Sequence, residues 1–194
     1  MSADARLLDA LRALADVLGR LDRPGMVIGG IAVIARGVPR QTADIDAAVW
    51  AEGLDLRDLL TALAGGGIIP RIEDAETFAA KHQVLLLRHG ASDIPLEVSL
   101  AWLPFEWEAL KRAELVDFGG VRIPVATAED LVVYKAVAWR DRDRADIGRL
   151  LARHHRAIDL DRVRSLVKQF ADALEEPARV ADFEQVIQEA IGDR

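Results

Sequence analysis

Cysteine is absent from the 194-residue sequence. Disulfides, thiolate zinc sites and cysteine nucleophiles are therefore excluded, and any metal must be held by oxygen or imidazole ligands. Long apolar runs are also missing: no segment approaches the roughly 20 apolar residues that a membrane span needs. Residues 1–23 mix Asp and Arg with apolar positions, unlike a secretory signal. We therefore expect a cytoplasmic protein with no membrane partner.

An excess of positive charge is lacking as well. The chain has 25 Lys or Arg against 32 Asp or Glu, a formal net charge of -7. This balance argues against a protein that coats nucleic acid without specificity. Residues 135–168 reverse it locally, with ten Lys or Arg against five Asp. That basic segment could receive an RNA acceptor end, or it could be a solvated helical surface.

The pattern of apolar residues predicts a mixed domain followed by a helical one. Short strand-like runs and helical stretches alternate up to residue 126, and after the capping box that begins at Thr127 the periodicity is helical only. Strands are predicted at 26–28, 44–50, 84–87, 94–100, 114–118 and 121–125, and helices at 3–21, 31–36, 54–63, 104–112, 128–140, 143–155, 159–175 and 179–191. The predicted class is α/β (α+β), with a small mixed sheet flanked by helices in residues 1–126 and a helical subdomain in residues 127–194.

Two aspartates, Asp44 and Asp46, flank Ile45 in a predicted strand. Side chains two positions apart on a strand point to the same face, about 6–7 Å apart along the backbone. Two carboxylates that converge in this way favour a hard cation such as Mg²⁺, which binds one or two carboxylates together with substrate phosphates. A third carboxylate on a neighbouring strand would complete a site for nucleotidyl transfer. The motif by itself is short and also occurs on solvated strand edges.

A glycine pair, Gly29-Gly30, ends an apolar strand 14 positions before Asp44. Backbone amides at the start of the following helix can face a triphosphate. The segments VIGGIA at 27–32 and GVPRQTADID at 37–46 together resemble the signature of the polymerase-β-like nucleotidyltransferase superfamily. The R-x-T-x-D-I-D run is similar in particular to the AbiEii-like nucleotidyltransferase toxins of type IV toxin–antitoxin systems.

The resemblance implies a nucleotidyltransferase fold, a nucleoside triphosphate substrate and Mg²⁺ or Mn²⁺. It implies metal binding by Asp44 and Asp46 and phosphate contact by Gly29 and Gly30. Arg40 and Thr42 could orient the phosphates or the aspartates through charge-assisted hydrogen bonds.

The resemblance also implies a third acidic residue on a later strand. Glu97, between Leu96 and Val98, has this form and is preferred as the third metal ligand and catalytic carboxylate. Asp93 is the alternative, but it precedes Pro95 and is more typical of a turn.

A second block, EDL at 129–131 with Lys135 and RDRADI at 142–147, is similar to the same relatives and implies that Lys135 and Asp143 belong to the active site. The helical neighbours of Lys135 are apolar, so it does not lie on a simple solvated face. A phosphate contact is favoured over a side chain that snorkels to the surface. Asp143 is open between a catalytic and a capping role, and a structural role is favoured for Asp146.

The remaining histidines and aromatics carry no predicted chemistry. His154 and His155 are predicted to lie on the surface of a basic helix. The four tryptophans are predicted to pack in the core rather than to stack on bases: Trp50, Trp102, Trp107 and Trp139.

The sequence thus predicts a Mg²⁺-dependent nucleotidyltransferase that acts on a hydroxyl acceptor. The acceptor is open between tRNA or another RNA end, as for a toxin with a cognate antitoxin partner, and a small molecule of the aminoglycoside or lincosamide type. A non-catalytic antitoxin or binding module on the same fold is the third alternative.

Overall fold

The computed structural model describes residues 2–192, which form nine helices and seven strands in two units. The sheet unit is the chain up to Ala35 together with Arg40–Ala126, and the helical unit is Arg36–Pro39 together with the chain from Thr127 onward. The strands are β1 (Gly25–Ile28), β2 (Ile45–Trp50), β3 (Ile68–Pro70), β4 (Val84–His89), β5 (Pro95–Ala101), β6 (Glu114–Phe118) and β7 (Val121–Val125). The helices are α1 (Ala3–Leu18), α2 (Gly29–Ala35), α3 (Leu56–Gly65), α4 (Ala75–His82), α5 (Pro104–Arg112), α6 (Ala128–Ala138), α7 (Asp141–His154), α8 (Leu160–Ala173) and α9 (Ala178–Ile191).

The predicted α/β class is confirmed. Two elements were not predicted, the strand β3 and the helix α4. β3 has only three residues, too few for a detectable alternation. α4 is short, and only two of its residues, Ala75 and Ala79, are buried. None of the helices within residues 2–192 is both long enough and apolar enough to cross a bilayer.

The sheet has the strand order β3-β4-β5-β2-β1-β7-β6 and mixes parallel and antiparallel pairs. β2 lies at its centre, antiparallel to β1 and parallel to β5. The register places Asp46 opposite Ile28 on β1 and opposite Glu97 on β5. The centre of the sheet therefore brings together three segments that are far apart in sequence.

The two faces of the sheet differ in burial. On β5, Leu96, Val98 and Leu100 are buried, whereas Glu97 and Ser99 between them are half-exposed. β4 shows the same alternation. Since opposite residues of paired strands share a face, Asp46 and Glu97 belong to the half-exposed face. One face thus forms the core, and the other presents polar groups.

The helical unit is arranged around α6, which contacts α7 and α8. α6 is apolar over most of its surface, as expected of a central helix. Two of its acidic side chains, Glu129 and Asp130, are nevertheless buried. Arg162 of α8 donates hydrogen bonds to Glu129 at 2.7 Å and to Asp130 at 2.9 Å, so one guanidinium pairs with both carboxylates.

We expect Arg162→Met to destabilise the protein by about 3–5 kcal/mol, because it removes a cation that pairs with two buried carboxylates. The measurement is urea unfolding followed by circular dichroism. Arg164→Met is the matched control: its partner Glu184 is partly exposed, so this variant should lose no more than about 1 kcal/mol. Equal losses in the two variants would contradict the buried-pair interpretation.

Candidate active site

Asp44 and Asp46 lie at the amino end of β2 and are half-buried. The Thr42 hydroxyl donates a hydrogen bond of 2.8 Å to Oδ1 of Asp44. This bond fixes the orientation of the Asp44 carboxylate from within the loop that leads into the strand. Of the two predicted roles of Thr42, contact with the phosphates or with the aspartates, this bond corresponds to the second.

The glycine pair lies directly beside these residues. Gly29 has a φ of +61°, and a Cβ at this position would overlap the carboxylate of Asp46. A Cβ at Gly30 would lie 2.5 Å from Oγ1 of Thr42 and 3.2 Å from Cζ of Arg40. The absence of side chains at 29 and 30 thus allows Arg40, Thr42 and Asp46 to approach the turn between β1 and α2.

Glu97 lies next to Asp46 on the adjacent parallel strand. Neighbouring strands are about 4.8 Å apart, so the two carboxylates project side by side from one face. Nη2 of Arg71 donates a hydrogen bond of 2.7 Å to Oε1 of Glu97. Arg71 was not predicted, because it contacts this face only through the pairing of β3 with β4.

Asp93, the alternative third carboxylate, lies in the turn between β4 and β5. It is exposed, has a φ of +57°, and is paired with Arg88 at 3.4 Å. These features are those of a turn residue.

The donor chemistry at the start of β2 fits Mg²⁺. The candidate ligands are all carboxylate oxygens, and Gly29 allows the Asp46 carboxylate to lie against the backbone. Within residues 2–192, no three His, Asp or Glu side chains are close enough to one another to enclose a metal by themselves. Mg²⁺ sites that use one or two carboxylates together with substrate phosphates do not need such an enclosure.

Lys135 and Asp143, the other predicted site residues, lie in the helical unit. The Lys135 ammonium is 3.2 Å from Asp143 and 2.7 Å from Asp146, and the three side chains are 7%, 1% and 3% exposed. Burial raises the pKa of Asp143, but the hydrogen bond from Arg140 and the charges of Lys135 and Arg140 outweigh it and hold the pKa below its ordinary value. Lys135 is therefore the centre of a buried ion cluster.

Two expectations for other side chains are wrong. Trp102 is 60% exposed rather than packed in the core. His154 and His155 are both half-buried rather than on the surface, and Nε2 of His154 donates a hydrogen bond of 2.7 Å to the carbonyl of Arg36.

Gly29→Ala should lower the stability by at least about 1–2 kcal/mol, because alanine is strained at positive φ and its methyl group would displace Asp46. Thermal unfolding measures the loss. Gly65→Ala is the control: it lies at the end of α3, has no positive φ and has open space around it, so its stability should be unchanged or slightly higher. An unchanged melting temperature in the Gly29 variant would show that the site is not packed as described.

Asp143→Asn should destabilise the protein by about 3–5 kcal/mol at neutral pH, because Lys135 and Arg140 lose a buried partner. Since the folded pKa of Asp143 is depressed, its contribution is complete above the ordinary value of 3.8 and is lost as the pH falls below 3.8. Denaturant unfolding of both proteins between pH 7 and pH 2.5 should show a difference that shrinks only at the acid end. A difference that is constant over this range would contradict the assignment.

Comparisons with known proteins bear on the family and the fold of the chain. A family model described as "Nucleotidyltransferase of unknown function (DUF6036)" matches residues 5–191. A search among curated proteins finds no significant match.

Several solved structures share the fold. The crystal structure of ANT(2″)-Ia in complex with adenylyl-2″-tobramycin has a TM-score of 0.56 at 18% identity, over 89% of this chain and 99% of that one. The solution structure of the same antibiotic-resistance factor has a TM-score of 0.55 at 17% identity, over 95% and 97%. A provisionally named nucleotidyltransferase from H. pylori has a TM-score of 0.51 at 20% identity, over 96% and 81%.

At these identities the solved structures show the fold alone, whereas the family model covers almost the whole sequence. The predicted superfamily is confirmed: the chain belongs to the DUF6036 family and is a nucleotidyltransferase.

Proposed function

We propose that the protein transfers a nucleotidyl group from a nucleoside triphosphate to a hydroxyl group of a small cationic acceptor. The observation that carries this proposal is the close contact of Asp46 with Gly29, with Glu97 opposite Asp46 on β5 and Asp44 two positions before it. Carboxylates for a divalent metal thus lie beside the backbone of a glycine pair.

Asp44 and Asp46 would hold the metal, with Thr42 fixing the orientation of Asp44. When bound, Mg²⁺ would neutralise charge on the triphosphate and polarise the phosphate under attack. Arg40, beside Gly30, would face the phosphates that approach the turn.

Glu97 is proposed as the third carboxylate, which accepts the proton of the attacking hydroxyl. The hydroxyl oxygen then forms a bond to the α-phosphorus, and the bond to pyrophosphate breaks. Arg71 orients the Glu97 carboxylate before the acceptor arrives.

The resemblance also implied active-site roles for Lys135 and Asp143. Their buried pairing with each other supports a structural role in the helical unit. The proposed chemistry therefore rests on the carboxylates of the sheet unit.

Charge supports a cationic acceptor. The sheet unit carries 12 Lys or Arg against 18 Asp or Glu, a net charge of -6. An acidic surface attracts a polyamine by long-range electrostatics and repels the phosphate backbone of an RNA acceptor. ANT(2″)-Ia, whose complex contains an adenylylated tobramycin, shows that a protein of this fold takes such an acceptor.

The basic segment gives less support to an RNA acceptor than its composition suggests. Of its ten Lys or Arg, at least seven form ion pairs with carboxylates, so much of its charge is compensated within the helical unit. These seven are Lys135, Arg140, Arg144, Arg149, Arg162, Arg164 and Lys168.

Toxin-like transfer to tRNA is the second candidate. It is favoured by the R-x-T-x-D-I-D motif, since Arg40 and Thr42 both lie at Gly30. A cognate antitoxin would accompany that function. A binding module without catalysis would show no transfer to any acceptor.

The proposal is tested by incubating the protein with Mg²⁺ and each α-labelled nucleoside triphosphate, with either an aminoglycoside panel or total tRNA. Label on an aminoglycoside supports it. Label on tRNA alone contradicts the proposed small cationic acceptor and supports the toxin-like function. No transfer to either acceptor class overturns both in favour of the binding module.

Asp46→Asn should reduce transfer by more than about 100-fold, because even indirect partners of metal ligands cost 10–100-fold. Asp93→Asn is the matched control, an exposed carboxylate whose positive φ asparagine also tolerates, and it should keep near wild-type activity. Initial rates with labelled triphosphate provide the measurement, and melting temperatures confirm that both variants fold. Retained activity in Asp46→Asn, or a comparable loss in Asp93→Asn, would place the metal carboxylates elsewhere.

A further inference from the structure

Three of the four tryptophans gather in one groove of the sheet unit. Trp50 ends β2, Trp102 directly follows β5, and Trp107 lies on α5. With Glu52 and Gln83 they line an open groove of about 710 Å³. None of these residues has a part in the nucleotidyl-transfer chemistry proposed above.

The aromatic rings of the groove are arranged as a platform. The rings of Trp50 and Trp107 have centroids 4.9 Å apart and are tilted by 46°. Trp102 is 60% exposed, and among residues 2–192 only Leu115 and Leu174 are other large apolar side chains exposed to a similar degree. A tryptophan that is exposed to water forgoes the large favourable free energy of burying its ring. An exposed tryptophan is therefore typical of a binding surface.

The groove has one carboxylate in its lining, and Arg23 beside it donates hydrogen bonds to the backbone carbonyls of Trp50 and Glu52. Its lining includes the acidic Glu52 and no Lys or Arg. Lys111 lies over the Trp107 ring, with its Nζ 5.5 Å from the ring centroid, so Trp50 and Trp102 are the rings considered for a ligand. Indole faces attract ammonium groups through their quadrupole, and a nearby carboxylate adds to this attraction.

The groove lies along the same sheet face as the catalytic carboxylates. Asp46 and Trp50 are four positions apart on β2 and therefore point to the same side, about 13 Å apart along the strand. Glu97 and Ser99 on β5, with Val84 on β4, are half-exposed on that face between the two places. A ligand of several linked rings can span this distance.

We propose that the tryptophan groove is an acceptor subsite, which binds an ammonium-bearing ring of the acceptor while a hydroxyl at the other end reaches Glu97. Trp102 and Trp50 contact the ring faces that carry the amines, and Glu52 pairs with an ammonium group. This subsite rests on the proposed function, and it adds the substrate class: a polyamino sugar long enough to span from Trp102 to Glu97.

The test measures tobramycin binding by calorimetry, without triphosphate or Mg²⁺, to the full-length protein. Trp102→Ala should weaken binding about 5- to 30-fold, the range expected for a cation–π contact. Leu115→Ala is the matched control, since Leu115 is 56% exposed on the edge strand β6, three strands away from β2, and this variant should bind as wild type does. Glu52→Gln should weaken tobramycin binding but not the binding of its fully N-acetylated, uncharged form.

Equal affinities of the wild type and Trp102→Ala, or no tobramycin binding by the wild type, would overturn the subsite. So would a Trp102-dependent affinity for a short single-stranded RNA in place of tobramycin, because the platform would then stack bases. Binding is measured apart from chemistry: transfer to aminoglycosides with an unchanged KM in Trp102→Ala would sink the subsite and leave the proposed function intact. Tobramycin binding that depends on Trp102, without any nucleotidyl transfer, would support the subsite and contradict the proposed function.

Discussion

The active-site edge depends on a steric constraint, the lack of a side chain at Gly29. The Asp46 carboxylate occupies the space that a Cβ at position 29 would need. Because β1 and β2 are paired through Ile28 and Asp46, this space is fixed by the register of the sheet. Gly30 likewise has no side chain where Thr42 comes close to the backbone. The fold therefore provides a close contact between the backbone and the Asp46 carboxylate rather than a complete set of metal ligands. The substrate phosphates would supply the remaining ligands of a bound Mg²⁺.

The sequence predicted the elements whose signals are local. The β6–β7 hairpin, α5, the glycine pair and the aspartates of β2 were recognisable from turn residues, alternation and spacing. The contact of Arg71 with Glu97 was not, because these residues are 26 positions apart and meet only when β3 pairs with β4 and β4 with β5. The exposure of Trp102 was missed because tryptophan is usually buried, and its position after β5 carries no local sign that nothing covers it.

The charge of residues 135–168 shows how composition and structure differ. A count along the sequence treats each Lys and Arg as a free positive charge that is able to attract RNA. In the fold, several of these cations pair with carboxylates, some of them buried residues of α6 and α7. A buried carboxylate without its cation would carry a large desolvation cost, so these basic residues are required by the acids around them. Much of the basic charge therefore serves the helical unit itself, and the acidic surface of the sheet unit becomes the better guide to the acceptor.

The ion pair of Glu97 and the ion cluster of Lys135 differ in how easily their members exchange partners. The pair of Arg71 and Glu97 is 37% and 44% exposed, so water screens it and its net contribution to stability is at most about 1 kcal/mol. Glu97 can leave Arg71 for a metal or a hydroxyl at little cost. The Lys135 cluster is almost fully buried, and separating it would strand charges away from water. A group that takes part in a reaction must change partners during each turnover, and this requirement favours Glu97 over Asp143 as the third catalytic carboxylate.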